Sequence, residues 1–255
     1  MEQSFKGSKI MSDSHNISGT KSSWSFGGGS LSIIGRQPRI IDKPAQAEGH
    51  ARLFGADPEK IALLIVASAA GTEGHKNFVH DTYSTIKFAD GVVLNQPGGA
   101  GVIQTADCAA LALYDGTTGR MVLAHAGRPA LTPDAHCPTC TITYNALCYL
   151  TGSTGDRSKV EALVVGNICG PCFKHDQPEA KHLVEPFMKY PPHVFANRDE
   201  GALDLYEVIK HELTHHGVPV ENIHHVGSCT LETNWLSSHR RGDTDRNTVV
   251  LVRHQ

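Results

Sequence analysis

Over most of its length the chain carries its apolar residues in short, unbroken runs. IALLIVASAA (61–70), GVVLNQ (91–96), GVIQTA (101–106), ALALYD (110–115) and RMVLAHA (120–126) follow one another closely. Gly, Pro and Asp separate them, as in NQPGGAG and YDGTTG, which predicts buried strands joined by tight turns. VEALVVGNIC (160–169), IHHVG (223–227) and NTVVLVRH (247–254) add three more strand-like runs. Helical patterning is rarer. Pro44 to Lys60 reads as a helix around AEGHARLFG with Gly55 as its stop, and Thr141 to Leu150 as another. A polar helical segment begins near Pro178. The clearest helix is LDLYEVIKHELTHHG (203–217), with an apolar stripe of Leu205, Val208, Ile209 and Leu213. Its Asp204 and Glu207 stand in capping-box register and Gly217 ends it.

Residues 1–30 are rich in Ser and Gly, lack the apolar core of a signal peptide and read as a disordered lead-in. No repeat or linker divides residues 31–255, so the rest is expected to be one mixed α/β domain. The 255 residues include 23 basic and 26 acidic ones, for a formal charge of −3. With no long basic run there is no electrostatic support for a nucleic-acid partner. No apolar run is long enough to span a bilayer, and a cytoplasmic protein is expected. Seven cysteines, an odd number, point to free thiols or metal ligands rather than a disulfide framework.

Two motifs advertise metal chemistry. His211-Glu212-Leu213-Thr214-His215 matches the H-E-x-x-H pattern of zinc peptidases. On a helical wheel, however, His211 lies nearly opposite the apolar centre and His215 well off it. No third ligand follows at the metzincin spacing, where Val218 and Glu221 stand. The two histidines are therefore expected on the solvent side of a scaffold helix. The second motif is a pair of C-x-x-C units, Cys137–Cys140 and Cys169–Cys172. The first, with His136 beside it, could be a zinc ribbon or a loop with incidental thiols. The second spells CGPC, but Pro178 leaves no long helix behind it to lower a thiol pKa, which disfavours redox chemistry.

A third set is delivered from strand ends, where functional residues commonly sit. Cys108 follows the GVIQTA strand, His125 ends the RMVLAHA strand, and His75 follows the IALLIVASAA strand and a Gly-rich break. One thiolate and two imidazoles would bind zinc with the fourth position open, as catalytic zinc sites do.

TADC (105–108), HAG (125–127), the I-C-x-x-C-F run (168–173) and C-T followed by S-H-R-R (229–230, 238–241) occur in this order. Together they resemble the multicopper polyphenol oxidoreductase, or laccase-domain, family of purine nucleoside phosphorylase type. The resemblance covers roughly residues 45–255. It implies an α/β (α+β) fold with mixed β-sheets packed as a sandwich and flanked by helices. It also implies a zinc ion held by His75, Cys108 and His125, with His80 as a competitor for the first position. The implied activity is phosphorolysis of adenosine and inosine to base and ribose 1-phosphate, with adenosine deamination alongside. Arg240 and Arg241 are then the candidates for holding phosphate. Copper enters only as an adventitious ion, since the paired H-x-H histidines of a multicopper centre are missing.

The chain departs from the family pattern at three places. Arg128-Pro129-Ala130 replaces Trp-Arg-Gly after HAG, Lys174 replaces a glutamate after the cysteine run, and Gly166-Asn167 replaces Gly-Pro before it. These changes keep two other functions open. One is a Cys-His amidase or deamidase with Cys108 as nucleophile and His125 as base. The other is a non-catalytic metal-binding relative.

Overall fold

The computed structural model describes residues 21–40, 42–65, 78–80, 85–133 and 140–254. The chain opens with β1 (Lys21–Phe26), β2 (Gly29–Gln37) and helix α1 (Pro44–Leu53). Then come β3 (Ile61–Ile65), β4 (Phe78–His80), β5 (Thr85–Phe88), β6 (Gly91–Leu94), β7 (Ala100–Thr105), β8 (Ala109–Asp115) and β9 (Met121–Ala126). Helices α2 (Arg128–Leu131) and α3 (Ile142–Thr151) precede β10 (Val160–Val165). After a stretch of 3-10 turns the chain adds β11 (Phe195–Asn197), β12 (Ala202–Leu203), α4 (Leu205–His215), β13 (Ile223–Val226) and β14 (Arg246–Arg253). No helix among the described residues is long and apolar enough to cross a membrane.

Two six-stranded mixed sheets make the body, in the orders β1-β2-β14-β7-β3-β5 and β13-β10-β8-β9-β6-β4. Their facing surfaces interdigitate through Leu31, Ile33, Leu64, Ile103 and Leu251 on one side and Val92, Ala110, Leu123, Leu163 and Val165 on the other. The outer face of the second sheet packs Leu111, Leu113, Val122 and Val164 against α3 and α4. The outer face of the first covers Leu63, Val102 and Val250 with α1. Each central strand is therefore buried on both faces. That is why alternation vanishes and ALALYD or NTVVLVRH reads as a continuous apolar run.

Helix α4 starts at Asp204, whose carboxylate accepts the N–H groups of Tyr206 and Glu207 at 3.0 and 3.2 Å. The reciprocal half of the capping box is replaced: the Asp204 N–H donates to the Val194 carbonyl, and Glu207 pairs with Lys210. The polar segment from Pro178 forms a 3-10 helix, Pro178–Leu183, rather than an α-helix.

The N-terminal boundary differs from the sequence expectation. Residues 21–30, expected in the lead-in, form β1 and the start of β2, paired in register from Lys21 opposite Ile34 to Phe26 opposite Gly29. Trp24 and Phe26 alternate with serines and point into the inter-sheet core. Serine on the outward positions hid a half-buried strand inside a stretch that composition reads as disorder.

Candidate active site

Cys108 ends the short bend between β7 and β8, and His125 lies within β9, the strand beside β8. The ladder pairs Ala110 with His125, so Cys108 and His125 lie diagonally across the two strands. Gly127, two residues beyond His125, leaves the space between them open: a Cβ there would stand 2.7 Å from Cys108 Sγ and 3.0 Å from His125 Cε1. Thiol and imidazole thus converge on one small space that any other residue at 127 would fill. This is a cradle of the right donor types for a soft-to-borderline cation. His75 falls outside the described residues. His80 lies on β4, exposed, with its ring edge-on to Tyr149 at 5.4 Å.

Both groups are held uncharged. Burial, and then the Asp107 carboxylate, push the Cys108 thiol up to about 12, against the opposing pull of Arg128 and Arg246. Burial pulls His125 down to about 4. Neutral imidazole is the metal-binding form, whereas the thiol needs a nearby cation to ionise.

Asp107 organises the surrounding loops. It is buried and adopts φ 77°, a left-handed conformation that Asp tolerates better than most residues. Its Oδ1 accepts the Thr230 hydroxyl at 2.6 Å, and its Oδ2 accepts the Arg240 backbone N–H at 2.8 Å. Its carbonyl accepts the Ile168 N–H at 3.0 Å. One residue therefore fastens both C-terminal loops beside Cys108. It was absent from the sequence candidates although it is the D of TADC; the signal was there, but hidden behind the cysteine.

The arginine pair divides. Arg241 turns into its own loop, donating to the carbonyls of Thr230, Leu231 and Leu236 and pairing with Asp243 at 2.6 Å. Arg240 instead lies over the Phe173 ring, 5.1 Å from its centroid, with its guanidinium exposed. Burial lowers the pKa of Arg128; Cys108 opposes that shift and Arg240 adds to it, so Arg128 lies within electrostatic reach of both, while the second guanidinium that acts on Cys108 is that of Arg246. The structure thus brings Cys108 and His125 together with Arg128 and Arg246 acting on the thiol, sets Arg240 beyond Arg128 on the Phe173 ring, and holds Arg241 in a bracing role. Lys174, the other charge departure, is exposed and paired with Glu200 at 2.7 Å.

The H-E-x-x-H segment sits elsewhere. Glu212 is buried and accepts the Thr141 hydroxyl at 2.7 Å and the Tyr190 hydroxyl at 2.6 Å. His211 packs against Tyr190 and His193, and His215 is exposed. These residues line a cleft with Lys189 and His216 that includes neither Cys108 nor His125. Of the first cysteine pair, Cys140 is disulfide-bonded, contrary to the expectation of free thiols; Cys137 and His136 lie outside the described residues. A group that sequence reasoning did not assemble is Cys169, Cys172, Cys229 and Glu232, whose donor atoms all lie within 4.8 Å of one another and could hold a metal ion.

The chain belongs to the multi-copper polyphenol oxidoreductase laccase family, whose model matches residues 52–253. No curated protein matches the sequence. Among solved structures, the hypothetical protein YfiH of Bacillus licheniformis is similar at TM-score 0.70 and 15% identity, covering 93% of this chain and 98% of that one. YlmD from Geobacillus stearothermophilus is similar at TM-score 0.65 and 17% identity, over 90% and 93% of the two chains. NMB0706 of Neisseria meningitidis gives 0.65 and 18%, over 91% and 96%. At these identities the likeness concerns the fold, two large mixed sheets with few helices in one domain.

Proposed function

We propose that the chain is a zinc-dependent purine nucleoside phosphorylase, acting on adenosine and inosine, that also deaminates adenosine. The observation that carries this reading is the convergence of the Cys108 thiol and the His125 imidazole over Gly127, with the Arg128 and Arg246 guanidinium groups acting on the thiol. Cys108, His125 and His75 would hold the metal, which supplies a Lewis acid able to acidify water. Arg240 and Arg128 bind and orient phosphate, each offering a planar fork of donors. A phosphate oxygen then attacks the anomeric carbon as its bond to the base nitrogen breaks; the base takes up a proton and ribose 1-phosphate is released. In deamination, water adds at C6 of the purine and ammonia leaves. Asp107 positions Arg240 by fixing its backbone N–H.

Two features favour this over the alternatives. A thiol at about 12 beside an imidazole at about 4 is the reverse of the thiolate–imidazolium pair that a cysteine hydrolase uses. The departure at 128–130 moves an arginine by one position rather than removing it, leaving Arg128 within electrostatic reach of Cys108, and the Lys174 charge is matched by Glu200.

The test has two stages. Elemental analysis of untagged protein should find zinc that falls by about one ion per chain in Cys108→Ala. Incubation with adenosine and phosphate should then yield adenine, ribose 1-phosphate and inosine. Unchanged zinc in the variant, or no turnover over a purine nucleoside panel, would reject the reading.

A further inference from the structure

The run Cys169-Gly-Pro-Cys172 takes no part in the chemistry above, yet its surroundings are built with care. A single 3-10 turn spans Gly170–Cys172, and the Phe173 N–H donates back to the Cys169 carbonyl at 3.1 Å. Across from it, Cys229-Thr-Leu-Glu232 repeats the spacing with a carboxylate in place of the fourth sulfur. Here too the following residue closes the turn, the Thr233 N–H donating to the Cys229 carbonyl at 3.0 Å. The two turns are already stitched together: the Cys169 N–H reaches Cys229 Sγ at 3.3 Å, and Cys172 Sγ reaches Glu232 Oε1 at 3.4 Å. All three cysteines are free thiols.

From this arrangement we infer that Cys169, Cys172, Cys229 and Glu232 form a second, structural zinc site, separate from the Cys108 centre. Three sulfurs and one oxygen match tetrahedral zinc; calcium and magnesium require oxygen donors throughout, and iron–sulfur clusters generally take four cysteines. With zinc–sulfur near 2.3 Å and zinc–oxygen near 2.0 Å, the donors of a tetrahedral site stand about 3.5 to 3.8 Å apart. The Cys172–Glu232 separation of 3.4 Å is already of that size, and no donor pair exceeds 4.8 Å, so small side-chain rotations complete the site. On binding, the three thiols give their protons to solvent and zinc accepts four electron pairs, one from each donor. The Cys169 N–H stabilises the charge on sulfur as an outer-shell donor.

The consequence is mechanical. Ile168 and Thr230, each next to a ligand, are both hydrogen-bonded to Asp107. A metal joining the two turns would clamp the loops that carry Phe173 and Arg240 against the bend that carries Cys108.

The test uses the full chain in the Cys108→Ala background, stripped by a chelator and titrated with Co2+. We expect about one ion per chain and the sulfur-to-cobalt charge-transfer band of a tetrahedral thiolate site. Adding Cys172→Ser should abolish both. Because Cys172→Ser could fail to fold, the exposed Glu232 offers a gain: Glu232→Cys should strengthen the band and slow metal loss to the chelator. A Cys108→Ala chain that binds no ion, a band indifferent to Glu232→Cys, or a Cys169–Cys172 disulfide in protein purified under reducing conditions would each overturn the inference. The two zinc assignments fail separately. Wild type with one zinc that Cys108→Ala loses would sink only the clamp, and one zinc that Cys108→Ala keeps would sink only the catalytic site.

Discussion

Helix α4 and the strand ends at Cys108 and His125 both carry residue types that can bind zinc, and the fold treats them differently: on α4 the His211 and His215 rings stack 6.2 Å apart while the glutamate between them is buried. On α4 the motif is written contiguously, but the helix turns its glutamate inward, where Thr141 and Tyr190 consume the carboxylate oxygens. At the strand ends nothing is contiguous, yet Gly127 lets a thiol and an imidazole 17 positions apart in sequence meet. A ligand set is defined by where side chains point. Five residues on a helix specify only a face, whereas adjacent antiparallel strands and one missing Cβ specify a place.

The sharpest way to break this comparison is Gly127→Ala. Its methyl group would overlap Cys108 Sγ, so the donors must separate. Zinc at that site should be lost and turnover should fall by about a hundredfold or more, since misplacements of an ångström have that effect. Normal metal content and turnover in this variant would remove the argument for convergence.

Next in size is Asp107→Ala, which strips acceptors from the Thr230 hydroxyl and the Arg240 N–H. A stability loss of about 1 to 3 kcal/mol is expected by denaturant unfolding. KM for phosphate should rise with it, because Arg240 is no longer fixed. Asp107→Asn, which tolerates the left-handed backbone and keeps one acceptor, should recover part of both.

Glu212→Ala tests the other side. It leaves two hydroxyls without their partner in a buried setting, for about 1 to 3 kcal/mol of stability. Turnover per folded molecule should not change. A catalytic glutamate would show the opposite split, with little loss of stability and a collapse of activity.

The smallest effect belongs to the His211→Ala, His215→Ala double variant. Zinc content and turnover should match wild type, with a stability loss of about 1 kcal/mol or less, since His215 is exposed and His211 is only partly buried against Tyr190 and His193. Loss of zinc from this variant while it remains folded would transfer the metal centre to α4.

Much of this was legible in the sequence because burial on both faces writes strands as plain apolar runs. β8, β9, β10 and β14 stand where those runs stand. The short β4 and β5 carry too few residues for a pattern, and the serines of β1 disguised it. Cys108 and His125 could be named from strand-end position and motif. The division of labour between Arg240 and Arg241 could not, because adjacent loop residues point by backbone conformation rather than by any period. The Cys169 cluster was written as two equal spacings, C-x-x-C and C-x-x-E, but the sequence offered Cys137–Cys140 as the nearer partner.

The place of β14 has a bearing on how the molecule is made. Residues 246–253 lie between β2 and β7, pairing with 29–37 on one side and 100–105 on the other. The first sheet therefore cannot be completed at its centre until more than two hundred residues after β2 have been synthesised. Until then both waiting strands expose unpaired edges, and closure over such a separation is slow. Nascent-chain aggregation should be governed by that delay, and a chaperone that shields strand edges is the factor most expected to raise the yield.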